Sequence, residues 1–362
     1  RLRSRGLGDV YKRQLYNIKK NDSMKDIKNY SLLAHNTFGI EARCHRFLEY
    51  SSVEEAQQIV SSLTTEDEPL LILGGGSNLL LTGDYPGTVL HSAIKGIKVL
   101  SDKDPASVFL ECGSGEVFDD VVAFAVENGY HGAENLSIIP GEVGASAVQN
   151  IGAYGVEAKD IIYKVEAVEI ATGKLVVFDN ADCEYSYRQS KFKHEWRDKY
   201  LVTHVIYRLS RTFVPDLDYG NIRSSLEKKG IASPTAQQLR EVIIEIRNAK
   251  LPDPKVQGNA GSFFMNPIVE KAKYEELASQ YLGMPHYTID AEHEKIPAGW
   301  MIDQCGWKGK SLGKAGVHDK QALVLVNRGG ATGADIVRLC ETIQKDVKEK
   351  FGIEIHPEVN IK

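Results

Sequence analysis

Strand-like and helix-like stretches are interleaved along the whole chain, with no internal repeat and no low-complexity segment, which restricts it to an α+β or α/β fold. Residues 52–61 read as a short amphipathic helix, and the apolar strand 70–73 runs straight into Gly74-Gly75-Gly76. Residues 87–91 and 108–112 read as strands. A helix over 117–128 places Val117, Val121, Val122 and Ala125 at helical spacing and stops at Gly129. A glycine-punctuated stretch, 136–155, separates it from strands at 161–170, 174–178 and 201–209. A helix over 235–249, striped by Leu239, Val242, Ile243 and Ile246, ends at the breaker Pro252-Asp253-Pro254, a candidate domain boundary. Beyond it the sequence predicts a helix over 269–280, a strand over 323–326 and a long helix from Thr332. Thr332 and Asp335 form a capping-box pair there, and Ile336, Leu339, Ile343 and Val347 share one face. A strand over 357–361 closes the chain.

With 362 residues, two or three packed units are expected. A formal net charge of -5 and the lack of a Lys/Arg block argue against a nucleic-acid-coating surface. The five cysteines, Cys44, Cys112, Cys183, Cys305 and Cys340, are scattered without CxxC spacing, which indicates neither a zinc site nor a disulfide framework but thiols in a reducing cytoplasm. No apolar run is long enough to span a bilayer. The basic residues 1–14 lack a following hydrophobic core, so they do not read as a secretory signal. Met24 reads as a natural start, with 1–23 a flanking segment.

Chemistry concentrates in four places. Gly74-Gly75-Gly76-Ser77-Asn78 can aim several backbone N–H groups, with two polar side chains, at one phosphate; a plain tight turn has the same composition. It is neither a G-x-G-x-x-G fingerprint nor a Walker loop. The stretch Ile139-Pro140-Gly141 through Gly144, Ser146, Asn150, Gly152 and Gly155 offers a small-residue surface on which a flat ligand can lie, or a loop that passes beneath another strand. Arg188 sits among Tyr185, Tyr187 and Phe192, either as a carboxylate-binding fork or as a surface arginine covering tyrosines. In Gly258-Asn259-Ala260-Gly261-Ser262-Phe263-Phe264 a single hydroxyl stands where a ligand can come close, with two phenylalanines to seal the back of the site.

Taken in order, these segments closely resemble the MurB family, the UDP-N-acetylenolpyruvoylglucosamine reductases. The resemblance is carried by Asn36-Thr37-Phe38, Gly75-Gly76-Ser77-Asn78-Leu79, Ile139-Pro140-Gly141, Gln149 through Gly155, Tyr187-Arg188, Lys250 through Pro254, Gly258 through Phe264, Gly299 through Asp303, and Pro357-Glu358-Val359. It spans the chain from about Met24 to its end. The resemblance implies an α+β protein: a two-part FAD-binding unit of the vanillyl-alcohol-oxidase type plus a C-terminal α+β substrate-binding domain. The implied parts are 24–97 with 352–362 returning to it, 98–251, and 252–351.

It further implies non-covalent FAD, NADPH as co-substrate, no metal, a UDP-sugar enolpyruvyl ether as the small-molecule partner, and a monomeric, cytoplasmic enzyme of peptidoglycan precursor synthesis with neither a nucleic-acid nor a membrane partner. Hydride passes from FAD N5 to the vinyl carbon of the substrate. By resemblance Arg188 binds the carboxylate, Glu358 stabilises the enolate and Ser262 returns the proton. A carbon-centred enolate is basic enough to take a proton from an ordinary hydroxyl. Glu358 beside an enolate makes sense when protonated or sharing a proton. Tyr219 matches the tyrosine of the subclass whose loop closes over the UDP-sugar. Lys250, Asn266 and Gln321 match substrate-contacting positions, though each also reads as a helix end, a turn residue and a surface amide.

Two departures affect local tuning. Met265 stands where many relatives carry lysine, and His356 and Asn360 flank Glu358 where an acid and an arginine are frequent. Two other readings remain: a flavin oxidoreductase of the same fold with a different substrate, and a flavin- or nucleotide-binding module without turnover.

Overall fold

A computed structural model describes residues 24–100 and 104–362. The flanking segment expected over 1–23 lies outside the described residues. Near the N-terminus a four-stranded sheet runs in the order Lys25–Ser31, Arg43–Tyr50, Tyr85–Ser92, Leu70–Leu73. The first pair is antiparallel, and the strand Tyr85–Ser92 pairs parallel with both of its neighbours. Leu71 and Leu73 alternate inward along Leu70–Leu73, so the apolar run becomes a strand with its end at the glycines. The helix Val53–Ser62 begins at Ser52, whose hydroxyl accepts from the Glu55 amide, and buries Ala56, Ile59 and Val60.

A five-stranded antiparallel sheet follows, in the order Leu175–Asp179, Ile162–Glu169, Tyr200–Ser210, Ser107–Gly113, Ile97–Leu100. Its inner face packs Val108, Leu110, Val165, Ala167 and Val205 against Phe118, Val121, Val122 and Ala125 of the helix Phe118–Glu127. Val117 does not join that stripe. It is the residue before the helix and is 43% exposed.

The helix Ala236–Lys250 buries Leu239, Val242, Ile243 and Ile246 against Ile222 and Leu226 of the helix Ile222–Lys228. The C-terminal part holds two three-stranded sheets and the helix Gly333–Phe351, which buries Ile336, Leu339, Ile343 and Val347. Its core draws in Phe38, Ile40 and Leu80 from the N-terminal part. Thr332 caps the helix: its hydroxyl accepts from the Asp335 amide at 3.2 Å, and the Asp335 carboxylate accepts from the Thr332 amide at 3.0 Å. Thr332→Ala removes one half of this box and is expected to cost on the order of 1 kcal/mol, read as a lower denaturation midpoint with unchanged far-UV circular dichroism.

Three expected elements shift. Ile268–Glu270 is a strand, with the helix only over Lys271–Gln280. Leu323 lies in the turn before the strand Leu325–Asn327. The terminal strand narrows to Asn360–Ile361, because the upstream residues pair elsewhere. That tail is shared: Asn360 and Ile361 pair parallel with Leu79 and Leu80, while Pro357 bridges Phe264. Glu358 is thereby held between the end of the glycine turn and the serine loop. All five cysteines are free thiols, and only Cys305 is not fully buried.

Candidate active site

One cavity of about 870 Å³ runs between the glycine segments, the Arg188 turn, the serine loop and the chain's end. Its first wall is Gly74 through Asn78. Gly76 has φ +64°, and a Cβ there would fall 1.9 Å from the His35 carbonyl oxygen, so only glycine continues the strand this way. A Cβ on Gly75 would lie 3.5 Å from Gly141 Cα, so the two glycine segments approach backbone to backbone. The Ser77 hydroxyl donates to the Pro140 carbonyl at 2.9 Å and clamps them together. This open, backbone-lined cradle fits a dinucleotide cofactor, whose diphosphate needs N–H donors without intervening side chains.

The stretch expected to be glycine loop contains a helix, Val143–Gln149, whose small residues carry no helical stripe. Gly144 packs against Ser114, where a Cβ would come within 2.9 Å of the serine Cβ. Ser146 reaches the cavity wall, but its hydroxyl is shared with Tyr207 at 2.6 Å and donates to Val143 at 2.7 Å. Asn150, expected to touch the cofactor, does not line the cavity. It ends the helix in the left-handed region (φ 45°), its amide donates to Glu157 and to the Ser186 carbonyl, and its oxygen accepts from the Lys159 amide. With its side chain so engaged, Asn150 supports the wall from behind and holds the Arg188 turn.

Arg188 itself has φ +58°, in a tight turn where Ser186 bridges Gln189. Lys193 donates to the Arg188 carbonyl at 2.9 Å. The guanidinium meets Glu358 at 3.1 Å through Nε, the Gly152 carbonyl at 2.6 Å and the Asn150 carbonyl at 3.3 Å, with Glu157 at 3.8 Å. Gly152 must be glycine here, because a Cβ would sit 2.8 Å from the Val156 carbonyl oxygen and as close to the Arg188 guanidinium. The Glu358 amide donates to the Phe263 carbonyl at 2.8 Å. Burial raises the Glu358 pKa, while Arg188 and Lys193 oppose that rise.

The serine loop is anchored at both ends. The Asn259 side chain accepts from the Gly261 amide at 2.9 Å, and the Phe263 amide donates to Leu323 at 2.7 Å. Gly261 has φ +68°, which turns Ser262 outward onto the cavity wall while Phe263 and Phe264 are fully buried beneath it. Arg188, Ser262 and Glu358, far apart in sequence, thus border one space.

Of the other expected residues, Tyr219 stacks on Tyr287 (5.9 Å, 8° between planes) and meets Tyr154 edge-on. Lys250 lies 3.4 Å from Asn221, Asn266 accepts from the Ala298 amide at 2.9 Å, and Gln321 accepts from the Leu323 amide at 3.2 Å. All four line the cavity, as does Gly155 beside Tyr219.

Sequence reasoning missed several wall residues. Lys295 lies over the rings of Tyr187 (4.7 Å) and Tyr287 (5.6 Å), a pairing no local pattern announces. Arg247 carries a buried Nε with no hydrogen-bond partner among the described residues and stands one helical turn before Lys250, a spacing that was readable. Among the described residues no group of three metal-ligating side chains occurs.

Residues 253–362 match the family model described as UDP-N-acetylenolpyruvoylglucosamine reductase, C-terminal domain, and residues 45–179 match that of an FAD binding domain. A UDP-N-acetylenolpyruvoylglucosamine reductase of Bacteroides fragilis is 56% identical over 92% of this chain and 99% of its own length. One of Flavobacterium johnsoniae is 45% identical over 92% and 98%. The crystal structure of the enzyme from Thermus caldophilus shares the fold, with TM-score 0.64 at 21% identity over 94% of this chain and 98% of that one. The glycine cradle thus lies in the segment matched by an FAD-binding model, and the C-terminal part from Asp253 to Lys362 is matched by the reductase model. The identity holds over nearly the full length of both chains, and this protein belongs to the UDP-N-acetylenolpyruvoylglucosamine reductase family.

Proposed function

We propose that this chain reduces the enolpyruvyl ether of UDP-N-acetylglucosamine to the lactyl ether of UDP-N-acetylmuramate, with non-covalent FAD and with NADPH as co-substrate. The observation that carries this reading is the convergence of Arg188, Glu358 and Ser262 on the cavity that the glycine cradle opens into. Gly74 through Asn78, Ile139 through Gly141, Gly144 and Gly155 would hold the FAD. Bound there, it would supply the redox chemistry that links NADPH to the substrate's vinyl carbon.

The chain's own residues do the rest. Arg188 is fixed by Gly152 and Asn150 and presents its fork to the substrate carboxylate, where negative charge accumulates. Burial raises the Glu358 pKa against the opposing charges of Arg188 and Lys193, and in its protonated form Glu358 would donate a hydrogen bond to the enolate oxygen instead of repelling it. Ser262, outward on the wall, gives its proton to the carbanion carbon. Lys250, Arg247 and Lys295 supply positive charge on the walls for the diphosphate. Tyr219, stacked on Tyr287, would close over the sugar nucleotide. Asn266 and Gln321 offer amides for its polar groups.

The division into 24–97 with 352–362, 98–251 and 252–351 is supported by the separate sheets and by the return of Asn360 and Ile361 to Leu79 and Leu80. A cytoplasmic, monomeric enzyme is part of the same reading. Among the described residues no helix is long and apolar enough to cross a membrane.

Purified protein is expected to be yellow and to oxidise NADPH only when UDP-N-acetylglucosamine enolpyruvate is added, with one NADPH consumed per UDP-N-acetylmuramate formed. Colourless protein that takes up no FAD, or NADPH oxidation indifferent to that substrate, sinks the reading.

A further inference from the structure

Glu142 stands in the cofactor cradle with an unused carboxyl. It precedes the helix Val143–Gln149 but makes no capping bond to it, and its side chain has no hydrogen-bond or ion-pair partner among the described residues. The side chain lies along the first glycine wall. The position of a Cβ on Gly74 is 3.3 Å from Glu142 Oε2, and that of a Cβ on Gly75 is 3.7 Å from Glu142 Cγ. Ser92 and Ser114 line the same end of the cavity, their hydroxyls bonded to each other at 2.6 Å.

We infer that Glu142 is a contact of the bound flavin nucleotide and acts there as a neutral carboxylic acid, donating its proton in a hydrogen bond to an acceptor on the FAD. This rests on the assignment of Gly74–Asn78 and Ile139–Ser146 as the FAD cradle. FAD brings two diphosphate charges to a wall chosen for its N–H donors. A carboxylate packed on Gly74 and Gly75 would oppose that charge, whereas the acid form adds one more donor.

The surroundings favour the acid form. Burial is the largest influence and pushes the Glu142 pKa up to about 7. Glu49 adds to the rise and Lys95 works against it. Lys95 is itself engaged by the Gly115 carbonyl and lies 3.8 Å from Glu116, so it does not pair with Glu142. Tyr50, also facing Glu142, stays neutral, its pKa raised chiefly by burial. A contact made only by the acid must be protonated at higher pH, so FAD binding takes up a proton there.

The test is FAD binding to apoprotein, followed by flavin fluorescence and by calorimetry in two buffers of different ionisation enthalpy. Affinity is expected to be level below about pH 7 and to fall about tenfold per pH unit above it, with uptake of close to one proton at pH 8.5. In Glu142→Gln the amide keeps a donor without a titration, so the slope and the proton uptake vanish while affinity at pH 6 stays within a few-fold of the parent. Flat parent affinity from pH 6 to 9, or no proton uptake by the parent, overturns the inference even if the variant is unstable. A slope retained in Glu142→Gln also overturns it and moves the proton to another cavity group such as Glu358. FAD that binds at no pH removes the cradle assignment together with the inference.

Discussion

Ser262→Ala is expected to bind FAD and to accept electrons from NADPH as the parent does, yet to turn over at least roughly hundreds-fold more slowly. The magnitude follows from removing one well-placed group that acts only as charge develops in the transition state. The selectivity follows from the geometry. The Ser262 side chain is outward on the wall, while the loop is held by Asn259 below Gly261 and by the Phe263 amide bond to Leu323, and both anchors survive the substitution. Phe263 and Phe264 keep their burial, so the cavity keeps its shape. Steady-state turnover together with the flavin content of the purified variant checks this.

Arg188→Ala is expected to lower turnover at saturating substrate by about a hundred- to a thousand-fold, in addition to weakening substrate binding. The guanidinium contacts Glu358 as well as two backbone carbonyls, so its loss has a second consequence. Arg188 is the strongest influence holding the Glu358 carboxyl down against burial. Without it that pKa moves further up, and the alkaline limb of the pH profile, on which activity falls as Glu358 loses its proton, shifts to higher pH. Arg188→Lys should not restore the activity, because one ammonium cannot span the acceptors the planar fork reaches. Turnover unchanged at saturating substrate would remove Arg188 from the chemistry and leave it a binding residue.

The fold was legible where burial writes a period into the sequence. The run Leu70–Leu73, the Ala236–Lys250 stripe and the cap at Thr332 each became the expected element. The helix Val143–Gln149 was not legible, because Gly144, Ala145 and Ala147 provide no apolar period and the motif read as loop. Val269 and Glu270 read as the start of the following helix because a strand of three residues, Ile268–Glu270, is too short to show alternation.

The site was legible in a different way. The resemblance brought Arg188, Ser262 and Glu358 together, and nothing local to any of them does so. Only the tail passing from Pro357 to Leu80 places Glu358 beside both others. Asn150 shows the opposite limit. A polar residue inside a glycine motif looks like a ligand contact, and its use in three internal hydrogen bonds appears only once the Ser186 turn is folded against it. Glu142 stands in a stretch that reads as loop, where an acid carries no signal, and its burial in the cradle is a tertiary fact.

The central claim, that Ser262 completes a reduction begun at the flavin, is tested most directly by separating the two half-reactions in anaerobic stopped flow. Parent and Ser262→Ala should be reduced by NADPH at equal rates. Mixed next with UDP-N-acetylglucosamine enolpyruvate, the parent should release UDP-N-acetylmuramate within a turnover, and the variant should release it hundreds-fold more slowly, in line with its steady-state loss. Product release from Ser262→Ala at the parent's rate, or a loss confined to the NADPH step, would contradict the account.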